Sequence, residues 1–536
     1  MRACATFAGV IVLALFAAVF ALRPPSPAPA NAPPSAFSAA RAMPDVNAIA
    51  RAPHPIRSAE QSRVRDYLFG RMVALGLTPQ LRPVDSEKGT LFNILGVLPG
   101  ADPKARALLL MAHYDSVPPG PGAADDGAGV AAVLETVRAL AASGPQARDV
   151  MVLLTDGEEP GLYGAKSFFT NDPASAHAWI AINLEARGNR GKAVMFETNR
   201  QGGALVGLLT RSGALTGASS LMPDLYRRLP NDTDLSPALQ RGVAGINFAF
   251  FGGLDAYHGP SDTPERLDKG SLQSIGDQAL AAARVLATTP ALPGRALDQV
   301  YADILGGPIL TYPADAGWLI IAAAIVCIAI AAWNGLKRDE TGIAGVSGGF
   351  GAFAGLIAVL ILVLPGDGLI RSQIAGRHLA PFLRRGAEVL TGAALLAAGL
   401  ALVWFWLASK ALRPASLRLG ALKVLALLAV FLQLTAPLDA FMVAWPLLLA
   451  AIAVAFADRP LIATPFALAG LAQVFYWAGL LFALIGQTTP AILVPISAVS
   501  VALLLAVAPT PGRMAALVGG AVAMVGLALT LAAMRA

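Results

Sequence analysis

The sequence predicts an α/β domain with a mostly parallel central sheet flanked by helices over residues 45–300, followed by an all-α, multi-spanning membrane region over 313–536. Three observations carry this. Short apolar runs bounded by Gly, Pro and charge alternate with helical patterns in the first half, as strands and helices do in a sheet covered on both faces. The charge is divided unevenly: of 34 Asp+Glu, 26 lie before residue 300, and the remainder holds eight against 13 Lys+Arg. Long uncharged apolar runs fill that remainder, each long enough to be weighed as a bilayer span.

The chain begins with an apolar segment over residues 1–22, behind a single Arg2. It reads as a signal anchor or a cleavable signal peptide, and its length of about 20 apolar residues favours the anchor. RPPSPAPANAPPSA then reads as the core of a Pro/Ala-rich linker over 23–44. Ser58 is the expected N-cap of a helix that puts Val64, Leu68, Met72 and Leu75 on one stripe, with Gly76 at its C-terminal end. RALLLMAH, DVMVLLTDGEE, WIAINLEA and GINFAFF read as buried strands. GVAAVLETVRALAAS, starting at Gly129, reads as a second helix.

Residues able to hold a metal stand just after these strands. They are His113 and Asp115 in MAHYDS, Asp125 and Asp126 in GAADDGAG, Glu158 and Glu159 in LLTDGEEPG, and Glu185 in INLEARG. His258 follows later in DAYHGPSDT. In an open α/β sheet the rim at the carboxyl ends of the strands is where ligands bind. Taken singly, each has an ordinary reading: His113 as a surface histidine, Asp125–Asp126 as a helix cap, Glu158–Glu159 as a solvated loop. Together they point to a di-metal site, with a carboxylate of the Asp125–Asp126 pair bridging and one of Glu158 and Glu159 binding metal while the other faces water. His54 and His177 lack such neighbours and read as structural.

After Pro313, apolar runs at about 317–334, 343–364, 389–408, 420–437, 441–457, 461–485, 490–508 and 514–534 make eight spans, nine with the first segment. Lys337–Arg338 and Lys410, Arg413, Arg418 and Lys423 fall in loops that become cytoplasmic if residues 45–300 lie outside, as the positive-inside rule expects. The loop with Arg371, Arg377, Arg384 and Arg385 falls on the other side in this arrangement. Ionisable residues are nearly absent from the spans, so this half reads as an anchor or scaffold and not as an ion pathway. Cys4 and Cys327 lie in apolar segments and form neither a disulfide framework nor a metal site. No basic patch is interleaved with aromatics, which argues against a nucleic-acid partner.

The stretches HYDS, GAADDGAGVAAVLE, TDGEEPGLYGAKSF, NLEARG and YHGPSDT resemble the zinc-dependent exopeptidases of the bacterial leucyl aminopeptidase and glutamate carboxypeptidase superfamily. PHPIRSAEQSRVRDYL and NDTDLSPAL are similar to its membrane-bound endoplasmic-reticulum and vacuolar branch. The likeness covers residues 53–268. It implies the zinc exopeptidase fold, two zinc ions, peptide substrates, and a catalytic domain on the non-cytoplasmic (periplasmic or lumenal) side of a lipid bilayer. It assigns Asp125 as the bridge, His113 and Glu185 to one ion, and Glu159 and His258 to the other. Many relatives carry Asp where this chain has Glu185. Glu158 is implied as general base and Asp115 as the residue orienting His113, and the Asp125–Asp126 peptide is a candidate for the cis form. Tyr257 is a candidate donor to the oxyanion, with core packing as its other reading. Asp262 is expected behind His258, and Asp234 and Arg187 are candidates for the substrate pocket. Aminopeptidase action is the leading expectation. Carboxypeptidase, dipeptidase, glutaminyl-cyclase-type and non-catalytic receptor readings stay open.

Overall fold

The computed structural model describes every residue except 1, 230, 292, 293, 295, 375–385, 487–492, 508–512 and 536. Two compact units emerge, Arg23–Thr311 and a second built from Met1–Leu22 with Tyr312–Ala536.

The helix α1 (Arg2–Leu22) belongs to the second unit. In the first unit, α2 (Ala39–Ile49) and α3 (Ala59–Ala74) lead into a sheet. Ser58 caps α3 by accepting the Gln61 amide, and Val64, Leu68 and Met72 are buried along one stripe, as their spacing predicts. The strands are β1 (Gln80–Val84), β2 (Leu91–Leu98), β3 (Ala107–His113), β4 (Val150–Thr155), β5 (Ala178–Ala186), β6 (Val194–Thr198) and β7 (Ala244–Phe250), ordered β1-β2-β4-β3-β5-β7-β6. The inner four, β4-β3-β5-β7, are parallel, while β2 and β6 flank them antiparallel. Every residue of β3 and β4 is buried, which is why these strands read as unbroken apolar runs. The helices α4 (Gly127–Ala141) and α9 (Lys269–Thr288) pack together in the main core, and α5 (Tyr163–Asn171) and α8 (Leu235–Gln240) pack together in a smaller one. From β3 the chain passes through α4 to β4 on one side, then through α5 back to β5 on the other. The loops after β3, β4 and β5 therefore converge where the strand order reverses.

The expected linker over 23–44 is instead packed structure. Phe37 is buried against Gly276 of α9, Ser38 caps α2, and the Gln273 side chain accepts from the Ala28 and Ala39 amides. Arg41 pairs with Glu135 of α4 at 2.8 Å. One aromatic and one ion pair give a Pro/Ala-rich segment enough to bury. At the other end, β8 (Gln299–Asp303) and β9 (Ile309–Pro313) form a two-stranded ribbon.

The second unit has five helices long and apolar enough to cross a membrane, at Ala314–Lys337, Ile343–Val363, Thr391–Ala408, Pro414–Thr435 and Pro460–Leu484. Shorter apolar helices at Phe7–Leu22, Phe441–Ala455, Ile496–Ala506 and Leu517–Thr530 make nine among the described residues. Contacts run their directions alternately. Gln433 donates to the Ala314 carbonyl and Trp445 to Tyr312 at one end, where Leu22 also meets Gly479. At the other end Arg338 pairs with Asp458 at 2.9 Å, and Arg413 donates to the Asp339 carbonyl. Arg418 donates to the Leu505 carbonyl there. The fifth of these nine helices starts at Pro414, six residues before the expected span, so Arg418 and Lys423 lie on the helix and not in a loop. Pro414 at the first helical turn sets that start. Arg377, Arg384 and Arg385 lie outside the described residues, as does the Arg371 side chain.

Candidate metal centre

His113 and Glu185 stand at strand ends, Glu159 in the turn after β4, Asp125 just before α4 and His258 in the loop after β7. His113 closes β3, and its Nδ1 is 3.0 Å from the Asp115 carbonyl while its Nε2 is 3.2 Å from Asp125 Oδ1. The other oxygen of Asp125, Oδ2, is 3.1 Å from His258 Nε2. One carboxylate thus faces two imidazoles, one on each oxygen. His258 Nε2 is also 3.1 Å from Glu159 Oε2, and His113 Nε2 is 3.9 Å from Glu185 Oε2. The five expected ligands therefore meet in one place. Asp126 joins them: its carboxylate lies within 4.8 Å of ligand atoms of His113 and Glu185. Its Oδ1 caps α4 by accepting the Gly129 amide at 3.1 Å, and its Oδ2 has no partner among the described residues. The Asp125–Asp126 peptide is cis.

Two carboxylates hold the site through backbone amides. Asp115, fully buried, accepts the amides of Gly157, Glu158 and Glu159 at 2.9, 3.0 and 3.3 Å, while its Oδ1 stays 3.7 Å from His113 Nδ1. The expectation that its carboxylate orients the imidazole is therefore only partly met, because its oxygens go chiefly to the turn carrying Glu158 and Glu159. That turn needs Gly157, at φ 75°, to swing the two glutamates over the strand end. Asp262 likewise grips the Ala124 and Asp125 amides at 2.9 and 3.1 Å. It holds the backbone of Asp125, and among the described residues it makes no hydrogen bond to His258, whose expected partner it was. His258 itself sits at φ 53°, a strained setting for a non-glycine residue that a surrounding structure must impose.

The remaining candidates divide. Tyr257 stacks on the His258 ring with centroids 3.9 Å apart, and the Arg187 guanidinium is 5.9 Å from the Tyr257 ring. Burial and then Asp125 push the Tyr257 hydroxyl well above its usual range, so it keeps its proton. Asp234, a pocket candidate, is fully buried and accepts from the Thr155 hydroxyl at the end of β4. Burial raises its carboxyl to about 6. His54 is buried with its amide on Ser116, in a structural role.

Electrostatics favour a cation here. Burial alone would raise Asp125, but hydrogen bonds from His113 and His258 hold it at about 2. Burial lowers His258, yet Asp125 and Glu159 together raise it to about 10. Burial pushes Glu158 and Glu185 well up, against the pull of His113. Six carboxylates around two imidazoles create a demand for positive charge that divalent ions satisfy. Oxygen and nitrogen donors of this kind suit zinc. The orphaned Glu159 Oε1 and Asp126 Oδ2 fit the same demand.

Sequence reasoning missed Asn183, Asn247 and Glu197. The signal was present as polar residues inside otherwise apolar strand runs, which is the informative kind of exception.

A doubly wound α/β sheet thus gathers a cluster of potential metal ligands at its switch point. Residues 93–283 match the model of Peptidase family M28. Endoplasmic reticulum metallopeptidase 1 of Rattus norvegicus is 31% identical over 256 residues, covering 46% of this chain and 28% of the relative. The Vacuolar membrane protease of Schizosaccharomyces pombe is 31% identical over 256 residues, covering 44% and 30%. The matched stretch thus spans less than a third of these relatives' length. Among solved structures, an aminopeptidase from Aneurinibacillus sp. strain AM-1 is 15% identical, covers 49% of this chain and 98% of its own, and has a TM-score of 0.40.

Proposed function

We propose that this chain is a membrane-anchored di-zinc exopeptidase, most simply an aminopeptidase, that hydrolyses peptides on the non-cytoplasmic side. The observation that carries the proposal is Asp125, whose two oxygens face His113 and His258 at 3.2 and 3.1 Å in the manner of a carboxylate shared by two ions. His113 and Glu185 would hold one ion and Glu159 and His258 the other. Zinc at that cluster would polarise a scissile carbonyl and acidify a water. Glu158 would take the proton from that water and return it to the leaving amine. Its place beside Glu159, in the turn whose amides Asp115 holds, suits a general base. Tyr257, protonated and stacked on His258, would donate to the oxyanion. Arg187 lies next to Tyr257 and would meet the substrate there.

Purified full-length chain with zinc should cleave aminoacyl and peptide substrates only when their amino terminus is free. Cleavage of amino-blocked peptides from the carboxyl end would instead assign a carboxypeptidase. For topology, the basic residues Arg338, Arg413 and Arg418 share one end of the bundle, opposite Leu22 and Tyr312. By the positive-inside rule that end is cytoplasmic. Alkaline phosphatase fused after residue 300 should be active, inactive within 337–342, and active again at Ala536. A silent fusion at residue 300 would reverse the arrangement.

A further inference from the structure

We propose that Asn183, Asn247 and Glu197 form a buried polar row that fixes the orientation of Glu185, with Glu197 as its anchor. The proposal rests on Glu185 being a metal ligand. The three residues stand side by side on adjacent strands: Asn183 of β5 is in register with Asn247 of β7, which is in register with Glu197 of β6. The two asparagines are fully buried and Glu197 is 6% exposed, so each polar atom there must be matched or lose stability.

The hydrogen bonds run in one direction. Glu197 Oε2 accepts from Asn247 Nδ2 at 3.0 Å and from the Thr233 hydroxyl at 3.2 Å. Asn247 Nδ2 also donates to Thr233 Oγ1 at 2.9 Å. An ionised carboxylate only accepts, so the Asn247 amide must turn its NH2 toward Glu197 and its carbonyl toward Asn183. That carbonyl accepts from Asn183 Nδ2 at 3.3 Å. The Asn183 NH2 is thereby fixed, and it donates to Glu185 Oε1 at 3.2 Å. Glu185 Oε2 is left facing His113.

A glutamate at position 185 has one more rotatable bond than an aspartate and needs an outside grip to present one oxygen. Partners of this kind, one step behind a ligand, typically change metal affinity by about 10–100-fold. Glu197 and Asn247 act through Asn183, so they are positioning residues.

The test is zinc affinity of the full-length chain, read by competition with a chromophoric chelator that resolves the two binding events. Asn247→Leu should weaken one zinc by about 10–100-fold and leave the other unchanged. Glu197→Gln should act in the same direction by less, and it keeps the proposal testable if the leucine variant does not fold. In a Glu185→Asp background, where the shorter arm falls short of Asn183, neither change should weaken zinc further. Equal weakening of both ions, no weakening of either, or an undiminished effect in the Glu185→Asp background would each overturn the row. A wild-type chain that takes up no zinc would overturn the reading of the site, and the row with it.

Discussion

Between Arg23 and Thr311 the large apolar side chains point inward and the charged ones meet at a strand rim, with Leu110 at 1% and Phe248 at 0% exposure. The second unit buries leucines too, but it also turns many of them outward. Leu319 is 73% exposed and Leu461 92%, while Gln433 and Thr530 are buried within the bundle. Water as solvent favours the first arrangement and hydrocarbon the second, because lipid tails gain nothing from hiding leucine but cannot satisfy an amide. The glycines differ in the same sense. Gly157 is needed for its φ of 75°, whereas Gly399 and Gly526 are needed because a Cβ would strike the backbone of a facing helix.

The sharpest way to break this comparison is at the rim. Glu158→Gln should lower turnover by about 10²–10⁴-fold while zinc content stays near wild type. Glu159→Gln should lose zinc. If the two substitutions behave alike in both measurements, base and ligand have been misassigned.

Next in size are core substitutions matched across the units. Leu110→Ala should cost about 2–5 kcal/mol in chemical denaturation followed by loss of peptidase activity. Leu319→Ala, on the outward face of the membrane unit, should change stability by no more than about 0.5 kcal/mol. A comparable loss at Leu319 would mean that this face is covered by protein.

Zinc removal should separate the units as well. Saturating zinc at about 100 times its dissociation constant stabilises a fold by about 2.7 kcal/mol. Chelation should therefore lower the melting transition of the soluble unit and leave the helical signal of the membrane unit in place. A shift in both would indicate coupled unfolding.

The smallest expected effect is Gly399→Val. It should push the C-terminal helix off its partner, seen as new proteolysis near residue 520, with peptidase activity reduced less than twofold. Loss of activity as large as that of Glu158→Gln would make the membrane unit part of the catalytic machinery.

What was legible in the sequence follows from distance along the chain. His113, Glu159 and Glu185 are legible because polar residues at the ends of apolar strand runs occupy the rim, whereas Asp125 and His258, twelve and eight residues past their strands, are legible through the motifs GAADDGAG and YHGPSDT. The helix stripe of Val64, Leu68 and Met72 is equally local. The work of Asp115 and Asp262 was not legible, since it depends on which backbone amides their oxygens reach 42 and 137 residues away. The packing of Phe37 against Gly276 and the register that aligns Asn183 with Asn247 are long-range in the same way. Composition also misplaced the helix start at Pro414, because Arg418 and Lys423 interrupt the apolar run without interrupting the helix.

The most direct test of the central claim is the zinc content of the purified full-length chain, measured by elemental analysis after reconstitution and removal of loose metal. The account predicts two zinc ions per wild-type chain, and a large loss when Asp125→Asn removes the shared carboxylate that faces both His113 and His258. A wild-type chain holding only trace metal, or an Asp125→Asn chain that still holds two ions, would contradict it.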